Sequence, residues 1–219
     1  MIDLHTHTLF SDGALIPAEL ARRARVAGYQ GLAITDHADQ SNMPWILERL
    51  QPGVAELSRA AGLQLLAGIE LTHVPPEQIA GLVGQAREFG AYPILVHGET
   101  LVEPVAPGTN LAAIEAGVDI LAHPGLITEE EASLAAAKGV ALEISTRKGH
   151  CLSNGHVAAL ALSLGCRLII NNDAHEPGDL IPEELRARIG LGSGLSQEQY
   201  QQAEAASRDI LLAGAYLER

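Results

Sequence analysis

The chain has 219 residues, length for one α/β domain spanning 1–219, and carries 14 Lys+Arg against 27 Asp+Glu, a formal charge of −13. That negative excess opposes tight electrostatic binding of duplex nucleic acid or of an anionic membrane surface, and bound divalent cations would offset part of it. Two cysteines, Cys151 and Cys166, without framework spacing argue against a disulfide-stapled secreted fold. With no apolar run of membrane-spanning length and no leader-like start, the expected location is the cytoplasm.

Hydrophobic residues make up 47% of the chain but aromatics only 3%, so the core must be built from Ala, Leu, Ile and Val. Such a core suits packed parallel strands and Ala-rich helices. In chain order, residues 1–7 read as a strand whose alternation sets His5 and His7 on one side, close enough to share an ion. Pro17 opens a helix through Ala24 that Gly28 closes. Residues 31–37 form a second apolar run ending in His37. A loop at 39–42 leads to a helix over 45–61, interrupted or restarted at Pro52-Gly53.

Residues 63–70 form the third strand, ending in the Glu70 carboxylate. Pro76 starts a helix to about Phe89, and residues 94–98 are the fourth strand, with His97 near its end. A short helix over 110–116 precedes the fifth strand, 118–124, which carries His123. Thr128-x-x-Glu131 is a capping box for an Ala-rich helix ending at Gly139. Residues 140–145 are the sixth strand, 154–164 the next helix, and 166–175 the seventh strand, with Asp173 and His175. The tail from Pro182, with Ser196-x-x-Gln199 opening a helix to about Leu212, packs as helices that close the fold.

Strand and helix alternate about seven times at spacings too short for separate domains, which argues a parallel sheet with helical crossovers. Metal-competent side chains end six of the seven strands. A closed barrel brings so many carboxyl ends around one point, whereas an open sheet spreads them along an edge. The collected candidates are His5, His7, Asp12, His37, Glu70, His97, His123, Asp173 and His175. This imidazole-rich set suits Zn, Mn or Fe better than Mg or Ca, and it suffices for two or three divalent ions sharing a bridging carboxylate.

His5-x-His7 with Ser11-Asp12-Gly13, Thr35-Asp36-His37, Gly68-Ile69-Glu70 with His97 and His123, and Asp173-x-His175 together resemble the four motifs of the PHP (polymerase and histidinol phosphatase) family of metal-dependent phosphoesterases. The resemblance runs from residue 1 to about 180. It implies a distorted (β/α)7 TIM-like barrel with a trinuclear metal centre at the carboxyl ends of the strands. It assigns His5, His7, Glu70 and Asp173 to one ion, Glu70, His97 and His123 to a second, and Asp12, His37 and His175 to a third. Some relatives carry His where this chain has Asp12.

Such a centre implies hydrolysis of a phosphoester by a hydroxide bridging two ions, with Glu70 and Asp173 among the catalytic residues, and Arg147 is a further catalytic candidate. Arg147 and Lys148 follow the sixth strand, and an arginine fork there matches a phosphate bidentately. His73, Glu99 and His150 are further candidates for the substrate side; His73 could instead cap the helix at Pro76, and Glu99 could orient a metal ligand. Glu143, inside the sixth strand, must find a partner, with Arg147 or a metal-bound water as candidates. His156 is expected to do no chemistry. The expected substrate is a small phosphomonoester, histidinol-phosphate- or nucleotide-like. The alternatives are a phosphodiesterase or 3′-5′ exonuclease, and a catalytically silent metal-stabilised scaffold. The oligomeric state is left open.

Overall fold

The computed structural model describes residues 1–217. Nine short strands are arranged as seven staves: β1 (Ile2–Asp3), β2 (Gly31–Ile34) with β3 (His37–Ala38), β4 (Gln64–Ala67) with β5 (Ile69–Leu71), β6 (Ile94–His97), β7 (Ile120–Ala122), β8 (Ala141–Ser145) and β9 (Leu168–Asn171). Every pairing is parallel, in the order β1-β2-β4 and β3-β5-β6-β7-β8-β9. Beyond β1 the chain stays extended. Thr6 bridges Ala174 in parallel, the His7 amide donates to the Ala174 carbonyl at 2.8 Å, and the Ala174 amide donates to His5 at 3.2 Å. The last stave thus returns to the first, and the sheet closes.

Two expected strands are each broken in two. At Gly68 an added Cβ would meet the Pro93 carbonyl oxygen, so only glycine lets stave three press against its neighbour. Between β2 and β3 the Asp36 carboxylate accepts from the Thr8 amide at 2.7 Å, the Thr8 hydroxyl at 2.8 Å and the Ser11 hydroxyl at 2.7 Å, which fixes the loop after β1.

The helices are α1 (Pro17–Val26), α2 (Met43–Ala61), α3 (Pro76–Glu88), α4 (Thr109–Ala116), α5 (Glu129–Lys138), α6 (Asn154–Leu164), α7 (Glu183–Gly192) and α8 (Gln197–Leu217). α5 starts with the expected reciprocal Thr128/Glu131 capping box. α2 is one continuous helix, not interrupted or restarted at Pro52-Gly53 as the sequence suggests. Pro52 itself lies on the exposed side, and Ile46, Leu47, Leu50 and Val54 bury one stripe across it, so packing holds both halves in line. Among the described residues no helix is long and apolar enough to cross a membrane.

Strand alternation positions the site. Leu66, Gly68 and Glu70 share one face of their stave, as do Leu95 and His97, and Ile169, Asn171 and Asp173. The lower member of each series, Leu66, Leu95 or Ile169, joins a buried cluster with Ala33, Ile120 and Ala141. The upper member is a polar side chain at the carboxyl end. Ile210 and Leu211 of α8 pack into the same cluster. A plugged apolar floor therefore lies beneath a polar, buried mouth.

Candidate metal centre

The nine expected ligands converge on this mouth. His5 Nε2 lies 3.3 Å from Glu70 Oε1 and 3.6 Å from Asp173 Oδ1, and His7 Nε2 lies 3.2 Å from Asp173 Oδ1. His123 Nε2 is 3.6 Å from Glu70 Oε1, and its ring centroid is 4.4 Å from that of His97. Asp12 Oδ1 lies 3.2 Å from His175 Nε2 and 3.5 Å from His37 Nε2, and those two nitrogens are 3.4 Å apart. The first and third positions implied by the resemblance are thus spatial clusters, and at the second His123 stands between Glu70 and His97.

Chemistry tests whether ions fit. His5 Nε2, His7 Nε2, Glu70 Oε1 and Asp173 Oδ1 are buried and have no hydrogen-bond partner. Left bare, each would cost on the order of 1–3 kcal/mol. Donors arranged tetrahedrally at zinc-like bond lengths of roughly 2.0–2.1 Å are separated by about 3.3 Å, close to the 3.2, 3.3 and 3.6 Å found among these atoms. The residues fit divalent ions.

The remaining ring nitrogens orient the ligands. His5 Nδ1 lies 2.8 Å from Glu143 Oε2, which also accepts from Asn171 Nδ2 at 2.9 Å. Glu143, expected to meet Arg147 or a metal-bound water, instead fixes His5 from behind. His37 Nδ1 meets the Thr72 hydroxyl at 2.7 Å, His97 Nδ1 the Gly98 carbonyl at 3.1 Å, and His175 Nδ1 the Asp173 carbonyl at 3.0 Å. Such outer contacts set the tautomer and aim the other nitrogen inward. His73, His123 and Asp173 have φ of 52°, 28° and 53°. These are strained for non-glycine residues, at about 1–3 kcal/mol each, and all three border the mouth.

Burial, aided by the His37 and His5 rings, holds His7 well below the usual imidazole range, and burial with the His97 ring does the same for His123. Both are neutral and ready to ligate. Burial also pulls His5 down, but Glu143, Glu70 and Asp173 outweigh it and hold His5 well above its ordinary value. Burial pushes the Asp173 carboxyl up to about 7, while it is outweighed at Glu70, which His5 and His37 keep well below the carboxylate range. Ligation requires His5 neutral and Asp173 charged, so an ion must displace protons there. We therefore expect ion affinity to fall as pH drops from 8 to 6, with proton release in calorimetry across buffers of different ionisation enthalpy. A flat affinity over that range would contradict it.

The other candidates divide. Arg147, His73 and His150 line a cleft of about 260 Å³ above the ligands. Arg147 Nη1 donates to the Asp173 carbonyl at 3.0 Å and lies 3.6 Å from Asp179 Oδ2. Lys148 is exposed and does not line the cleft. Glu99 is not at the mouth either: its Oε1 accepts from the Gly108 and Asn110 amides, both at 3.0 Å, and so caps the start of α4. His156 Nε2 bonds the Ile127 carbonyl at 2.7 Å, a structural role, as expected. Sequence reasoning missed Glu103, whose carboxylate lies 3.1 Å from His97 Nε2, and Asp179, which accepts from the His175 amide at 2.9 Å. The signal for Glu103 was only its place in the loop after His97.

Closed parallel staves with a His/Asp/Glu centre at their carboxyl ends define a class of barrel proteins built to hold metal ions there. The PHP domain matches residues 3–119, and the chain belongs to that family. It is 46% identical to an uncharacterized protein of Methanocaldococcus jannaschii over 199 residues, 90% of this chain and 91% of that one. It is 32% identical to ribonuclease P protein component 3 of Methanosarcina mazei over 142 residues, 62% of this chain and 53% of that relative, so it matches only about half of the latter. A two-domain protein of Bacteroides vulgatus, described as containing a predicted PHP-like metal-dependent phosphoesterase, superposes with a TM-score of 0.52 and 16% identity over 99% of this chain and 69% of that one. The last likeness is one of fold.

Proposed function

We propose that this protein is a hydrolase of phosphoric esters whose substrate is a small phosphomonoester. The observation that carries the reading is the convergence of the nine candidate ligands beneath a cleft that Arg147 helps to line. Two or three ions of the Zn, Mn or Fe kind would be held by His5, His7, Glu70 and Asp173, by Glu70, His97 and His123, and by Asp12, His37 and His175. Such ions supply an acidified water as nucleophile and neutralise charge on phosphoryl oxygens. The protein's own contributions are positional. Glu143 and Asn171 hold His5 in line, and a cleft of about 260 Å³ is of a size for a phosphoryl group with a small alcohol. Cys151 and Cys166 are free thiols, which suits a reducing compartment such as the cytoplasm.

Arg147, 31% exposed, is the cation placed to take phosphate oxygens. Hydrogen bonds to charged groups contribute about 1.5–3 kcal/mol. Arg147→Ala is therefore expected to lower kcat/KM by roughly ten- to hundredfold with metal content unchanged. Lys148→Ala should leave both near wild type. Equal losses from the two would remove Arg147 from this role.

The relative named for ribonuclease P keeps a phosphodiester as the second reading. Protein loaded with Mn, Zn or Fe and assayed on p-nitrophenyl phosphate, its bis ester and a panel of phosphorylated metabolites separates the two. Turnover of monoesters alone supports the proposal, and turnover confined to diesters overturns it. No turnover on any substrate would favour a metal-stabilised scaffold.

A further inference from the structure

We propose that Glu103 and His150 are two further metal ligands, closing the second ion position, that of Glu70, His97 and His123, on its solvent side. Glu103 sits on the loop between β6 and α4. Its Oε2 lies 3.1 Å from His97 Nε2 and its Oε1 lies 3.4 Å from His150 Nε2. The His150 ring stacks on that of His123 with centroids 4.1 Å apart and planes 15° from parallel. His97, His123 and His150 offer ring nitrogens all within 4.8 Å of one another, as tightly grouped as the sets formed by the nine ligands.

His150 also has the outer contact that marks the ligand histidines. Its Nδ1 meets the Thr100 hydroxyl at 2.7 Å, which leaves Nε2 facing the centre, the division of labour seen at His5, His97 and His175. It is 5% exposed, so this is not a solvated loop histidine.

The loop is built to hold Glu103 in place. Glu99 Oε1 ties its far end through the Gly108 and Asn110 amides, and Asn110 Oδ1 accepts from the Glu99 amide at 3.0 Å. Pro104 and Pro107 restrict the backbone between these ties. On the outer side His73 Nε2 lies 3.3 Å from Glu103 Oε2 and steadies the carboxylate.

Glu103 adds a carboxylate to the one that Glu70 shares with the first position, and three imidazoles complete a set of five donors. A position so filled leaves no coordination place open to solvent, whereas catalytic sites keep one open. The third position differs, because its Asp12 is 58% exposed. The second ion is therefore the resident one, and the third position is the one that exchanges. This rests on the metal-centre part of the proposed function and is independent of which ester is cleaved.

The test follows ion release from Zn-loaded protein into excess chelator with a metallochromic dye, with elemental analysis before and after. Wild type should release one ion slowly. Glu103→Gln and His150→Ala should each speed that slow phase by at least about ten- to hundredfold. Melting curves of the ion-free proteins confirm that both variants fold, and Glu103→Asp, which keeps the charge on a shorter arm, should lie between. In the Co²⁺ forms the visible absorption should change with both substitutions as donors leave the ion. Unchanged stoichiometry, release and Co²⁺ spectra in both variants, even with altered KM, would overturn the inference and place the two residues on the substrate. A wild type that binds no ion at all would overturn the metal centre itself, a separable failure.

Discussion

Glu70→Gln should cost this protein ions as well as rate: at least one ion fewer per chain on elemental analysis, and kcat/KM on a phosphomonoester down by more than about hundredfold. Glu70 is fully buried, with Oε1 3.3 Å from His5 Nε2 and 3.6 Å from His123 Nε2, and Oε2 3.9 Å from His7 Nε2 and 2.6 Å from His37 Nδ1. No other carboxylate among the described residues reaches all four of these rings. The amide would keep the shape but remove the charge shared by two positions, and its NH2 group would present donors where lone pairs are needed. The loss should therefore appear in both positions, unlike an Arg147 substitution, which leaves ions in place. Glu70→Gln protein with wild-type metal content and activity would show that Glu70 is not the bridge.

Much of this centre was legible because two periodicities coincide in the chain. Apolar runs with a histidine or carboxylate at the end mark strands, and alternation within them puts His5 with His7, and Asp173 with Ile169, on single faces. The nine residues meet because closure brings all carboxyl ends together, and closure was inferable from how many strands end in a ligand. What escaped reading is what depends on long-range geometry. Glu99 and Glu103 are both loop carboxylates four residues apart, and nothing local says which faces the mouth. The choice is made by Asn110, whose amide captures Glu99, and by His150, which stands beside Glu103 from the turn after β8. Glu143 was recognisable as a buried charge in need of a partner, but that partner, His5, comes from 138 positions away. The break at Gly68 was hidden because residues 63–70 read as one apolar run, and only the neighbouring Pro93 carbonyl requires glycine there.

The seam that closes the barrel yields the second large effect. Arg186 of α7 is fully buried. Its Nε donates to Glu204 Oε1 of α8 at 2.7 Å, and its Nη2 donates to the Ile2 carbonyl at 2.7 Å and to the Ile170 carbonyl, while Nη1 donates to Asn172 Oδ1 at 3.3 Å. One guanidinium thus ties the first stave, the last stave and α8. Burial alone would push its pKa down, but Glu204 and then Asp3 outweigh that and raise it, so the group stays charged. Removing one partner of a buried pair leaves the other uncompensated, at about 3–5 kcal/mol. Arg186→Ala should therefore lower Tm by roughly 6–20 °C, taking 2–4 °C per kcal/mol for a chain of this size. The apolar Arg186→Met combined with Glu204→Gln should lose less than the two single changes added together, because neither leaves the other's charge stranded. Calorimetry on chelator-treated protein checks both, with ions absent so that their binding does not mask the fold. An Arg186→Ala protein within about 1 kcal/mol of wild type would mean that the β9-to-β1 seam holds without this tie.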